Sequence, residues 1–446
     1  MKNKTYFTIL TTILIFSSLL EGLGAQILPM VAKEQETPVL LVGGTVHTGD
    51  GRVLEDTAVG FDKGTITFLG KASDLDTNGI DYKIIDITGQ EVYPGFILLN
   101  SVIGINEISG VPHTNDTDEE GNYLPNLQTV YAFDMTSTFL PPLRFNGILY
   151  IESIRSNGII PGTSSVISLD GWNWEEAVFK RAAAIHLDWP SSLSSYYDAE
   201  TNSRMLRPNS SYEGITGELE KLFSDAKQYE QMPTAQTNLK LEALTDLFQK
   251  ERVLVIHANE PKEIIESVTF AKSFGIEQIS LVASDSCLEI VDFLKENNIP
   301  VIVPPTYNLP RNDDKDYDAF YGLPTQLHRM GIEVSMYHVG SLSNSINLPF
   351  YAGTSVAFGM DKEEALKTIT LHPAKILGID NKLGSIAVGK TASLFVSKGD
   401  ALDVQTNLLT LAFIGGKQID LEGPQQLDFK RYSAKYGQNE KVNGKN

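Results

Sequence analysis

Between Val253 and Gly340 the sequence alternates short apolar runs with amphipathic stretches, and nothing else constrains the fold as much. VLVIHANE is followed by PKEIIESVTFAKSFG, whose apolar positions recur at helical spacing and stop at Gly275. ISLVASDS leads into CLEIVDFLKENN, with Ser284, Asp285 and Ser286 as N-cap candidates. IPVIVPPT, LPTQLHRMG and GIEVSMYHVG continue the pattern. Alternation of this kind marks βα units around a parallel sheet. Several such units in 446 residues predict a (β/α)8 TIM-like barrel, whose working residues would lie at the C-terminal ends of the strands. A strongly helical stretch from about Tyr212 to Glu251 is interrupted by Pro233.

The two ends have a different style. VLLVGGTVHTGDGRVLEDTAVGFDKGTITFLG is a series of β-rich runs cut by glycine turns, and GSIAVGKTASLFVSKGD with LLTLAFIGGKQIDL repeats it. Neither segment is long enough to close a core alone. Residues 38–92 and 384–422 are therefore expected to pair into one small β-sandwich domain, with the barrel over 93–383. A polar tail over 423–446 is expected to fray or pack loosely.

Residues 1–25 read as a signal peptide: two early lysines, an apolar run from Tyr6 to Leu20, then small residues up to Ala25. The run is shorter than the ~20 residues that span a bilayer, so export, with no membrane attachment after cleavage, is the expectation. The net charge of −20 argues against nucleic acid as a partner. Cys287 is the single cysteine, so no internal disulfide can form, and its helical surroundings suggest a buried thiol.

Four stretches in order resemble the amidohydrolase superfamily, and its imidazolonepropionase-like branch in particular. They are GGTVHTGDGRVLEDTAV with KGTITFLG, IDITGQEVYPGF, KEEALKTITLHPAKILGI, and KLGSIAVGKTASLFV. The first and last are similar to the halves of the family's small β-domain, the third to its helix after the eighth strand. The resemblance implies hydrolysis of a non-peptide C–N bond. It also implies one or two divalent metals that activate water, since a bound metal lowers the water pKa from about 15.7 towards about 7. The implied ligands are a His-x-His pair on strand one, a His on each of strands five and six, and an Asp on strand eight. Binuclear members add a carboxylated Lys.

This chain departs from that pattern. YPGFILLNSV carries Asn100 and Val102 at the His-x-His positions, a weak oxygen donor and no donor at all. His257, in VIHANE, matches the strand-five ligand. Ala283 and Ser284 stand where the strand-six His is expected, and Tyr337 and His338 where the Asp motif would fall. Lys180 precedes the AAAIHLDW run, so no carboxylated lysine is assigned. One matching ligand is short of the about four donors zinc takes. No metal or other cofactor is therefore expected, except a zinc-like divalent ion if the site is rebuilt around His257 with His338, Asp285 and Tyr337.

Other residues complete the candidate pocket. PGTSSV puts Thr163 and Ser164 at a barrel loop, where hydroxyls can bond a ligand. The pocket candidates are thus Asn100, His257, Asp285, Tyr337, His338, Thr163 and Ser164. Trp172 and Trp174 are wall or core. His186, before LDWP, could end a fourth strand but reads as a packed or solvated ring. His372 reads as structural, and His47, His113 and His328 are given no role. NDTDEEGNY has the start of a calcium loop, but Leu127 at the twelfth position excludes an EF-hand. No nucleophile elbow or Walker loop is present.

Two functions stay open at this level. One is a hydrolase at a depleted or rebuilt site. The other is a non-catalytic descendant: a ligand-binding protein, or the inactive partner of a complete amidohydrolase. The partners to consider are a small-molecule ligand, a second copy of the chain in a homo-oligomer, or an active amidohydrolase.

Overall fold

Glycine turns organise the strands between Val39 and Pro94. Strands β1 (Val39–His47), β2 (Val53–Asp62), β3 (Thr65–Gly70), β4 (Lys83–Asp86) and β5 (Glu91–Pro94) follow one another. Gly49 and Gly51 at the first turn, and Gly64 at the second, hold positive φ that a side chain disfavours. The structure, a computed structural model, describes residues 31–75, 79–108, 110–200, 202–231, 236–310 and 315–437. The leader expected over 1–25 and the proline break at Pro233 lie outside the described residues.

The chain then turns inward through β6 (Phe96–Ser101), β7 (Ile148–Ser153), β8 (Ser165–Ser168), β9 (Val178–Lys180) and β10 (Ala184–Asp188). A hairpin, β11 (Leu193–Asp198) and β12 (Ser203–Pro208), separates these from β13 (Val253–His257), β14 (Ile279–Val282), β15 (Val301–Val303) and β16 (Val334–Met336). Last come β17 (Leu394–Ser397), β18 (Leu409–Ile414) and β19 (Lys417–Gln418).

The strands from the two ends share one sheet, in the order β19-β18-β17-β5-β1-β2-β3, with β4 on β1. The join is β17 against β5, antiparallel, with Leu394 opposite Pro94 and Val396 opposite Val92. A core of Leu41, Val59, Phe61, Val92, Leu394, Val396 and Phe413, among others, lies on this sheet.

The central part is built on two sheets. β10-β13-β14-β15-β16 are parallel neighbours, and β6-β7-β8-β9 form a mixed sheet with β6 and β7 parallel. A parallel bridge between Leu99 and Tyr337 links the end of β6 to the residue after β16, and Thr163 bridges Ile185 of β10. The helices Pro261–Ser273 and Ala319–Arg329 bury apolar stripes such as Ile264, Val268 and Ala271, or Phe320, Leu323 and Leu327. The class is mixed α/β.

Several local expectations are corrected. CLEIVDFLKENN opens as a 3-10 turn, Asp285–Ile290, before a short helix, Val291–Glu296, and the Ser284 side chain caps nothing. KEEALKTITLHPAKILGI is two helices, Lys362–Lys367 and Leu371–Ile376; the β-branched Thr368, Ile369 and Thr370 separate them. The tail does not fray at once: Pro424–Lys435 is helical, started by a proline in its first turn and by the Gly423 N–H donating to Gln426 Oε1 at 3.1 Å. After β7 the chain reverses into antiparallel β8 and β9 instead of a crossover helix.

Candidate functional site

Glu152 lies in ILYIES, a strand with every residue buried. Its carboxylate is 1 % exposed and survives there because three donors reach it. The Asn100 backbone N–H meets Oε2 at 3.1 Å, the Ser164 hydroxyl meets Oε1 at 2.8 Å, and His186 Nε2 meets Oε1 at 3.0 Å. Burial alone would raise this carboxyl, but the His186 charge and these donors hold it below the ordinary carboxylate value.

The Asn100 contact depends on an irregularity in β6. Its pairing with β7 shifts register between Leu98 and Ser101, and Asn100 takes φ +54°. Asparagine tolerates that left-handed conformation better than most residues. A shift of this kind re-aims the backbone.

Parallel pairing of β10 and β13 brings two histidines together. Asp188 is registered against His257, and His186 lies two residues before Asp188 on the same face. His186 Nδ1 stands 2.9 Å from His257 Nε2, and His257 Nδ1 stands 3.6 Å from Asp188 Oδ1. The result is one line of groups from Glu152 through both rings to Asp188.

Tautomers follow from the acceptor at its inner end. With His186 neutral, Nε2–H donates to Glu152, so its bare Nδ1 accepts from His257 Nε2–H. His257 Nδ1 is then left bare, 3.6 Å from Asp188 Oδ1 and beyond hydrogen-bond reach of it. Burial, then the charge of His186, pushes His257 down to about 3, so the two rings do not both carry a positive charge at neutral pH. Asp188 is pushed the other way, up to about 6, by its crowded surroundings, although solvent reaching 42 % of its side chain tempers that push.

These rings open on a cavity of about 300 Å³ whose wall includes Asn100, Val102, Arg155, His186, Asp188, His257, Tyr337 and His338. It lies at the C-terminal ends of β6, β7, β10, β13 and β16. Larger clefts exist: about 820 Å³ at the opposite ends of β13 to β16, and about 860 Å³ beside the small sheet. Neither contains a histidine, and the lysines Lys250 and Lys375 of the first are paired with Glu277 and Glu333. The smaller cavity, with its histidines, is the candidate site.

Of the sequence candidates, Asn100, His257, Tyr337 and His338 line this cavity. His338 does not join the line of rings: its Nε2–H donates to the Ser341 carbonyl at 2.8 Å and its Nδ1 pairs with the Tyr351 hydroxyl at 2.9 Å. Ser164 sits behind the wall, donating to Glu152. Thr163 is buried with its hydroxyl on the Pro125 carbonyl at 2.6 Å, and Asp285 faces Lys315 at 3.7 Å away from the cavity. Trp172 is exposed, while Trp174 packs on Tyr131 and beneath Arg181. Cys287 is buried, and its thiol is pushed up to about 12 by that burial. Glu152, Asp188 and Arg155 were not singled out from the sequence, and His186, read there as a packed or solvated ring that could end a fourth strand, lies near the end of β10 beside His257. A carboxylate inside ILYIES was the available signal for Glu152, and the i, i+2 spacing of His186 and Asp188 for that pair. Among the described residues, no group of three or more His, Cys, Asp or Glu side chains is arranged to hold a metal ion.

Comparison with known proteins agrees with this architecture. A sequence model of the amidohydrolase family matches residues 194–419. A 5-methylthioadenosine/S-adenosylhomocysteine deaminase of Thermoanaerobacter pseudethanolicus is 24% identical over 375 residues, covering 77% of this chain and 81% of that protein. An imidazolonepropionase of Shewanella frigidimarina is 25% identical over 226 residues, 48% of this chain and 49% of that protein. An amidohydrolase structure from Thermotoga maritima superposes with a TM-score of 0.72 at 22% identity, covering 86% of this chain and 99% of that one. A molinate hydrolase structure gives a TM-score of 0.53 at 15% identity, over 88% of this chain and 96% of that one. With a family match over half its length and an imidazolonepropionase among its relatives, the chain belongs to the amidohydrolase family.

Proposed function

We propose that this chain is an exported amidohydrolase-family protein that binds a small molecule at the strand ends without the family's metal-assisted hydrolysis. In this reading β6, β7, the Thr163 segment, β10 and β13 to β16 close into the eight-stranded barrel. The Leu99–Tyr337 and Thr163–Ile185 bridges support that closure. The residues of 38–92 and 384–422 then form the appended β-domain.

One observation carries the functional reading: His257 Nε2, at the one matching ligand position, is engaged by His186 Nδ1 at 2.9 Å. Nε2 in that bond is taken, which leaves His257 only Nδ1, beside Asp188 at 3.6 Å, as a single donor. Val102 and Ala283 carry no side-chain donor, and Asn100 and Tyr337 supply only an amide and a phenol. The donor set does not fit the family's metal, so no step is routed through one.

A second reading is favoured by the line Asp188–His257–His186–Glu152. It is a metal-free acid–base enzyme in which Asp188 exchanges a proton with the bound molecule. Metal content separates the family mechanism from both readings. Protein purified without chelator should contain well under one equivalent of zinc, manganese or iron, and His257→Ala should leave that figure unchanged. One equivalent per chain, lost in His257→Ala, would overturn the proposal. Mass spectrometry of the mature protein should find its first residue near Ala25 or Gln26.

A further inference from the structure

Arg155 is the one Arg or Lys on the cavity wall among the described residues. Its position is fixed by the chain on both sides. The Ile154 N–H donates to the Ser101 carbonyl at 2.8 Å, and the Ser156 N–H to the Thr117 carbonyl at 3.1 Å. The side chain is 9 % exposed, yet its guanidinium makes no hydrogen bond among the described residues. Its nearest acid, Glu119, stands 3.7 Å away and is itself 57 % exposed, a loose contact in high dielectric. Arginine carries five donors in a planar fork, and burying it unbonded costs stability unless something else fills those donors. On the same wall, the Asn100 Oδ1 is also buried without a partner. Two buried polar atoms without a hydrogen-bond partner, Arg155 Nη2 and Asn100 Oδ1, thus belong to residues of a cavity wall whose one acid among the described residues is Asp188.

We propose that the cavity is built for a small molecule bearing a carboxylate, which the Arg155 guanidinium grips, while a hydrogen-bonding group elsewhere on the ligand meets Asn100. This rests on the reading of the cavity as a ligand site and adds the class of ligand. A volume of about 300 Å³ suits a compound of amino-acid size, not a peptide. The fork geometry explains why arginine stands here: a carboxylate accepts two parallel N–H bonds from it. The chain's net charge of −20 makes the cation a local feature set against the overall field, so that grip is a matter of contact and not of long-range attraction.

The test uses matched pairs of small N-acylated amino acids, each as the free acid and as the carboxamide, titrated calorimetrically into the mature protein. At least one acid should bind, and its carboxamide should bind ten-fold or more weakly. Arg155→Gln should erase that preference, Arg155→Lys should keep part of it, and Asn100→Ala should weaken acid and amide alike. Without ligand, the Tm of Arg155→Gln should equal or exceed that of the parent, because an unbonded buried cation has been removed. Equal binding of acids and amides would overturn the inference and leave the cavity as a ligand site. Binding by no member of the panel would refute the carboxylate grip. An acid preference that persists in Arg155→Gln, or a ligand-free Tm many degrees lower in that variant, would assign Arg155 a structural role and refute the carboxylate grip.

Discussion

Glu152 sets the chemistry of the site from behind it. A carboxylate with no solvent needs every lone pair answered, and here the Asn100 N–H, the Ser164 hydroxyl and His186 Nε2 answer it. Removing it leaves these three donors, the His186 ring among them, without an acceptor, so Glu152→Ala should lose about 3–5 kcal/mol of stability. Glu152→Gln keeps the shape and one acceptor oxygen and should lose clearly less. Urea unfolding of the three proteins would measure this, and equal midpoints for wild type and Glu152→Ala would refute the buried network. The sequence shows Asn100 and His257 because a family motif runs through them. It shows Glu152 only as an odd acid in an apolar strand, since nothing local reveals that β10 will bring His186 to it.

At the scale of elements, one joint binds the small sheet to the helix Lys362–Lys367. His47 of β1 lies between two carboxylates, with Nδ1 2.6 Å from Glu363 and Nε2 3.2 Å from Glu91 of β5, and its ring stacks on Tyr93 at 4.4 Å. Burial would lower its pKa, but the two carboxylates outweigh that and raise it above 6.5. A raised folded-state value means the imidazolium is favoured by folding. Its stabilisation is full below the unfolded value near 6.5 and is lost as pH rises through the folded one. The stability difference between wild type and His47→Gln should therefore shrink from pH 6 towards pH 9. Thermal unfolding across that range measures it; a gap that stays constant or widens would refute the charged joint. The sequence gives His47 no role because Glu363 is more than three hundred residues away. The irregular β6 is hidden for a different reason, since a register shift is a property of two strands and not of one.

Across the whole molecule, the alternation from Val253 to Gly340 and the shared style of the two ends made the strands legible, because both rest on local periodicity and turn chemistry. The reversal after β7, the exposed β11–β12 hairpin and the terminal helix were not, since short polar strands and a weakly amphipathic helix leave faint patterns. What the pairing of the ends implies can be tested on the chain as a whole. β17 sits between β5 and β18, so truncation after Leu383 removes the middle of the sheet as well as its edge. Ile386, Leu394, Val396 and Phe413 leave the core with it, all about fully buried. At ~1.5–3 kcal/mol for each such side chain, the loss is roughly 6–12 kcal/mol. A typical domain's entire stability is about 5–15 kcal/mol, so the truncated chain should fail to fold cooperatively. Its remaining strand β5 would also present an unpaired edge to other chains, and aggregation should follow. Co-expression of residues 384–446 as a separate segment should restore soluble protein by replacing β17 on β5. A soluble truncated chain with an unchanged Tm would show that the two ends do not depend on each other.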